Sequence, residues 1–182
     1  MQSSEEKLEF LRRLIVSQAD LQIASSALAF LEVEESRKYS KPELRKLKCF
    51  ETTFIVAYAR PFSANKGGRY RSLSPKRLGF NWSDEERHMH DYIIGLRNKI
   101  YAHSDEDFAH VRLDGFDVLE ESDLLFPHLQ FDEGLKFAKF QDQILAEKTT
   151  AKAMGAVAHQ IFSLTQELRD FLPVYVQPKN QT

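Results

Sequence analysis

Between residue 4 and residue 36 the chain contains neither proline nor glycine, and apolar residues return every three or four positions. A segment like this has few alternatives to a long amphipathic helix, because both strong helix breakers are absent and the repeat matches the helical turn. Leu11, Ile15, Ala19, Ile23, Ala27 and Phe30 form the stripe, and Leu14, Leu21 and Leu28 widen it. Ser3 and Glu6 have capping-box spacing at its start. The polar run from Glu34 to Lys38 lets the helix end before Pro42.

Three more helices follow by the same logic. Ser40-Lys41-Pro42-Glu43 is a second capping box, with proline tolerated in the first turn. Leu44, Leu47, Phe50, Phe54 and Ala57 give that helix its face, on which Cys49 is expected to be buried and inert. Pro61 stops it, and the short link predicts an antiparallel hairpin with the first helix. Ser83-Asp84-Glu85-Glu86 caps a third helix running to about residue 102, with Met89, Ile93, Leu96 and Ile100 on its stripe. The last spans about 133–171 through Phe137, Phe140, Ile144, Ala151, Met154, Ala158, Ile161, Leu168 and Phe171. Thr149-Thr150 marks a kink or break in it, and Pro173 ends it.

Two segments depart from this pattern. Residues 61–83 carry Gly67, Gly68, Pro75, Gly79 and several serines, and predict a long loop, a kind that is often functional. No acidic residue occurs from Thr52 to Ser83, while Arg60, Lys66, Arg69, Arg71, Lys76 and Arg77 are basic. Beyond residue 104 the charge reverses, with eight acids between Asp105 and Asp123. Within that span HVRLDGFDVLE alternates about Asp114-Gly115, which predicts a small β-hairpin insertion over 109–120. The expected fold is all-α: an up-down bundle of about four long helices in one domain, residues 1–173, with a loose tail at 174–182.

Composition narrows the functional classes. With 182 residues and 42% apolar content the chain suits one globular domain. A net charge of -2 makes it no polycation, so nucleic-acid affinity must come from a local patch. The single cysteine allows no internal disulfide and no cysteine-rich zinc site, and fits a reducing compartment. No apolar run approaches the roughly 20 residues of a membrane span, and the polar start MQSSEEKLEF is unlike a secretory signal. A cytoplasmic protein without a membrane partner is expected.

One segment combines groups suited to phosphate chemistry: Arg97-Asn98-Lys99-Ile100-Tyr101-Ala102-His103. A guanidinium can hold a phosphate in a fork, an imidazole can move protons near neutral pH, and an amide can orient either. On a regular helix positions 97 and 103 stand about 240° apart, so convergence needs a helix end, the reach of arginine, or a second chain. An arginine and a histidine near a helix end also serve as ion-pair partner and cap in many proteins.

The pattern Arg97-Asn98-x4-His103 resembles the R-(N/D/H)-x4-6-H motif of HEPN domains, the all-α family of ribonucleases found in toxin–antitoxin, abortive-infection and CRISPR-associated systems. The flanking residues look most like the abortive-infection, AbiU-like kind. The resemblance covers residues 94–105; elsewhere only the helical layout is similar. It implies metal-independent RNA cleavage to 2′,3′-cyclic phosphate and 5′-hydroxyl ends, with His103 in proton transfer, Arg97 on the scissile phosphate and Asn98 positioning both. It also implies a homodimer that brings two motifs together, no cofactor, and an antitoxin protein as a further partner.

The basic segment supplies candidate RNA contacts at Lys66, Arg69, Arg71, Lys76 and Arg77, with Tyr70, Phe80 and Trp82 available to stack on bases. The same charge could instead clamp the acidic stretch. His88 and His90, two residues apart on a helix, point to different sides and make a poor chelate, so they are expected at the surface or as caps, and no metal site is expected. The alternative to an enzyme is a non-catalytic, dimeric helical module that binds nucleotides or a partner.

Overall fold

The structure, a computed structural model, describes residues 3–34, 36–63, 72–101, 112–117, 125–130 and 134–173. The first helix, α1, spans Ser4–Ala29. Its capping box is formed: the Glu6 N–H donates to Ser3 Oγ at 3.2 Å and the Ser3 N–H donates to Glu6 Oε2 at 3.0 Å. It ends well before residue 36. Lack of a breaker only permits a helix; tertiary packing ends this one, because the chain beyond Phe30 carries Leu31 into the core and donates the Glu34 N–H to the Tyr39 hydroxyl at 2.7 Å.

The face that α1 buries is also turned from the expected stripe. Leu11, Leu14, Ser17, Leu21, Ala24 and Leu28 are buried, whereas Ile15, Ile23 and Phe30 are about half exposed or more. The helix is apolar over a wide arc, so its period identifies a helix without choosing which side meets α2 and the last helix.

Helix α2, Lys41–Ala59, begins where Ser40 donates both its N–H and its hydroxyl to Glu43 Oε2, at 2.8 and 2.7 Å. Leu47, Phe54 and Ala57 point inward as expected. Cys49 does not: it is exposed, two positions along the helix from the buried Leu47. After α2 comes a 3-10 turn, Arg60–Phe62, in which Pro61 is buried. The buried Arg13 side chain donates from Nη2 to the carbonyls of Arg60 and Pro61, at 3.1 and 2.9 Å. The start of α1 thus meets the end of α2, and the Phe30 and Phe50 rings, 5.6 Å apart, join the other end, so the two helices are antiparallel.

The expected loop is partly built into the core. Ser74 Oγ caps a one-turn helix α3, Pro75–Leu78, which closes on Gly79 in the left-handed region at φ 75°. Leu73, Leu78 and Trp82 are buried. Helix α4, Asp84–Leu96, has its capping box at Ser83 and Glu86 and buries Met89, Ile93 and Leu96. It runs into a π turn, Arg97–Tyr101. Two strands, β1 (Arg112–Asp117) and β2 (Leu125–Gln130), pair antiparallel, with Asp114 opposite His128 and Gly115 opposite Pro127. The hairpin expected over 109–120 is therefore not supported: Asp114-Gly115 lies within a strand, and alternation about it reported one strand's period, not two.

The last helix, α5, spans Phe140–Glu167, followed by a 3-10 turn at Arg169–Phe171. It is unbroken at Thr149-Thr150, whose hydroxyls donate to the carbonyls of Leu145 and Ala146 at 2.7 Å each, burying both threonines with their polar groups satisfied. Its buried face is Ala146, Thr149, Thr150, Ala153, Val157 and Leu164; of the expected stripe Phe137 and Leu168, which flank the helix, are buried, whereas Phe140 is 62% exposed and Phe171 is exposed too. Lys7 meets Glu167 at 2.7 Å, so α5 is antiparallel to α1. Ahead of α5 the chain is held by a fully buried carboxylate: Glu51 accepts the Phe137 N–H at 2.9 Å, the Lys136 N–H, and the Lys48 ammonium at 2.6 Å. That places Phe137 edge-on to Phe54, ring centroids 5.2 Å apart. The tail 174–182 lies outside the described residues.

Candidate functional site

The motif begins where α4 changes its winding. Met89, Ile93 and Leu96 fix the helix to the core up to Leu96, and Arg97 and Asn98 are the first residues of the π turn. Such turns are rare and frequently lie at functional sites. Arg97 is half-buried and Asn98 exposed. The Arg97 guanidinium donates from Nη1 to Asn98 Oδ1 at 3.0 Å, so two of the three motif side chains are joined. The third, His103, lies outside the described residues, as do Lys66, Arg69 and Arg71.

Lys76 and Arg77 are exposed on α3. The Arg77 guanidinium stands 4.1 Å from the centroid of the Phe10 ring, and Gln160 of α5 reaches the Leu78 carbonyl at 3.4 Å. Phe10 and the Leu73 N–H bond to the Pro61 carbonyl place α3 at the end of the bundle where α2 finishes. The π turn lies elsewhere. Tyr58 meets His90, while Phe54 and Tyr92 both meet Phe137, so α4 runs antiparallel to α2. At 1.5 Å per residue Arg97 is about 10 Å farther along the α4 axis than His90, toward the start of α2. The basic turn and the motif are not brought together within these elements.

A cluster that sequence reasoning missed surrounds His90. Its Nδ1 is 2.9 Å from the Tyr58 hydroxyl. Its ring stacks on Trp82, centroids 5.4 Å apart at 28°, and meets Phe62 edge-on at 4.8 Å and Tyr58 at 5.8 Å. His90 is thus a half-buried packing residue and not a surface one, and Trp82, 7% exposed, is core and no platform for bases. Burial pushes the imidazole below its ordinary pKa, against the opposing pull of the Asp91 carboxylate. Burial, with the charges of Asp91 and Glu86, holds the Tyr58 phenol well above its usual range. The Lys152 ammonium lies 6.0 Å from the Trp82 ring centroid and is bound to Glu86. The signal available in sequence was aromatic: Tyr58, Phe62, Phe80 and Trp82 bracket the glycine- and serine-rich stretch.

Among the described residues no three His, Cys, Asp or Glu side chains gather as a metal-ligating group. No helix among them is long and apolar enough to cross a membrane. Comparisons with family models, with curated proteins and with solved structures found no match.

Proposed function

We propose that this chain is a HEPN-type endoribonuclease that cuts RNA without metal, leaving 2′,3′-cyclic phosphate and 5′-hydroxyl ends, in a toxin–antitoxin or phage-defence setting. The observation that carries this is the Arg97–Asn98 pair, bonded side chain to side chain on a π turn and followed in sequence by His103. The angle of about 240° between positions 97 and 103 belongs to a regular α-helix, and the chain from Arg97 to Tyr101 is wound as a π turn instead.

In this mechanism Arg97 holds the scissile phosphate and stabilises the charge that develops on it. His103 takes the proton from the attacking 2′-hydroxyl or delivers one to the leaving 5′-oxygen, which departs as the 5′-hydroxyl. Asn98 fixes the guanidinium plane. Two chains pair so that both motifs face one groove, and the basic residues from Lys66 to Arg77 meet phosphates outside it. An antitoxin protein restrains the enzyme in the cytoplasm.

The test is incubation of purified protein with mixed cellular RNA in EDTA, with analysis of the ends. Cyclic phosphate and 5′-hydroxyl ends are expected. Intact RNA with folded protein would replace the enzyme by a helical binding module. Sedimentation at micromolar concentration should show a dimer; a monomer would remove the shared groove.

A further inference from the structure

The His90 cluster joins two stretches of chain that are distant in sequence. Phe62 closes the 3-10 turn after α2, and Trp82 lies just ahead of the α4 cap. Between them runs the segment that carries α3 with Lys76 and Arg77. Both aromatic rings rest on the same imidazole, one edge-on and one stacked. Tyr58 completes the box, and its phenolic proton has no acceptor other than His90 Nδ1 among the described residues. With the ring neutral and its proton on Nε2, the buried phenol donates to Nδ1 and its proton is satisfied.

We propose that His90 is a proton-sensitive clamp: neutral, it draws Phe62 and Trp82 together and anchors both ends of the segment that bears α3; protonated in mildly acid solution, it loosens that grip. An imidazolium carries a proton on Nδ1 as well, so the phenol oxygen would have to accept there and the buried Tyr58 proton would lose that acceptor. Among the described residues, Asp91 on α4 favours the cation, Tyr58 on α2 stays neutral, and Lys152 on α5, over the Trp82 ring, is tied to Glu86. The Arg60–Phe62 turn presents Phe62. Desolvation outweighs Asp91, so the neutral form is the one the fold holds.

Trp82 is the single tryptophan, so its emission reports on this contact without labelling. Stacked imidazolium quenches indole fluorescence and neutral imidazole does so far less. A titration from pH 8 to pH 4.5 should show one transition with a midpoint below 6.5. His90→Phe, which keeps a flat ring, should lose the transition. Tyr58→Phe should move the midpoint upward, because it removes the donor that favours neutral Nδ1. Over the same range the exchange protection of the Leu73 N–H, bonded to the Pro61 carbonyl at 2.8 Å, should fall while that of the Leu21 N–H within α1 holds. A midpoint at or above 6.5, a transition that survives in His90→Phe, or Leu73 protection unchanged across the titration would each overturn the proposal. If His90→Phe fails to fold, the wild-type midpoint and the Tyr58→Phe shift decide it.

Discussion

Arg97 Nη1 donates to Asn98 Oδ1 across 3.0 Å at the point where α4 unwinds into a π turn. Neighbouring residues on a helix usually point 100° apart, so a bond between them ties a long, mobile guanidinium to one direction. In the proposed mechanism the remaining guanidinium donors take the phosphate.

Substitutions in the motif should separate binding from chemistry. His103→Ala should lower RNA cleavage about 10²–10⁴-fold, the usual span for a proton-transfer group, with RNA binding and melting temperature close to wild type. Arg97→Ala should weaken both cleavage and binding, and Arg97→Lys should restore charge without the fork. Asn98→Ala should be milder. Cleavage by folded His103→Ala at the wild-type rate would remove the enzyme reading.

Neutralising Lys66, Arg69 and Arg71 together should weaken RNA binding and flatten its dependence on salt. For single-stranded RNA each lost phosphate contact takes about 0.7 from the log–log slope, so three contacts amount to a change of about 2. Binding measured at four or five salt concentrations gives the slope. An unchanged slope would take these residues out of the RNA contact and leave them to assembly or to no role.

Glu51→Ala should cost about 3 kcal/mol or more in urea unfolding. The carboxylate is fully buried and accepts two backbone N–H groups and the Lys48 ammonium; its removal takes a buried acceptor from the two N–H groups, while Lys48 keeps the Gly134 carbonyl at 3.1 Å. Glu51→Gln retains an acceptor oxygen and should cost less.

Glu86 should make the fold sensitive to acid. Its bond from Lys152, with the Ser83 N–H bond behind it, holds the carboxyl below its ordinary value of 4.5. A group depressed in the folded state stabilises above its unfolded pKa, and that contribution is lost as pH falls through the folded value. Unfolding midpoints compared between wild type and Glu86→Gln should therefore differ at pH 6 and converge toward pH 3.

Local signals in the sequence were the ones that survived. The capping residues Ser3, Ser40 and Ser83 each start a helix where they were expected to, because a cap is settled within four residues. Faces were harder. Ile15, Ile23 and Phe140 keep the helical period and yet face outward, since orientation depends on which neighbours arrive, and those come from far along the chain. His90 was misplaced for the same reason: its box draws on Tyr58, Phe62 and Trp82, none within seven residues of it. The π turn has no compositional mark in Arg97–Tyr101, and only the backbone reveals it.

Cys49 stands in solvent on α2, and the chain has no second thiol. Together with Trp82 it gives the protein two unique optical addresses without engineering. A thiol-reactive acceptor dye on Cys49 makes the pair a ruler by energy transfer from the indole, reporting on how α2 stands relative to the entry of α4. The same dye, attached at low occupancy to one population and mixed with a differently labelled one, reports subunit exchange in any assembly the chain forms.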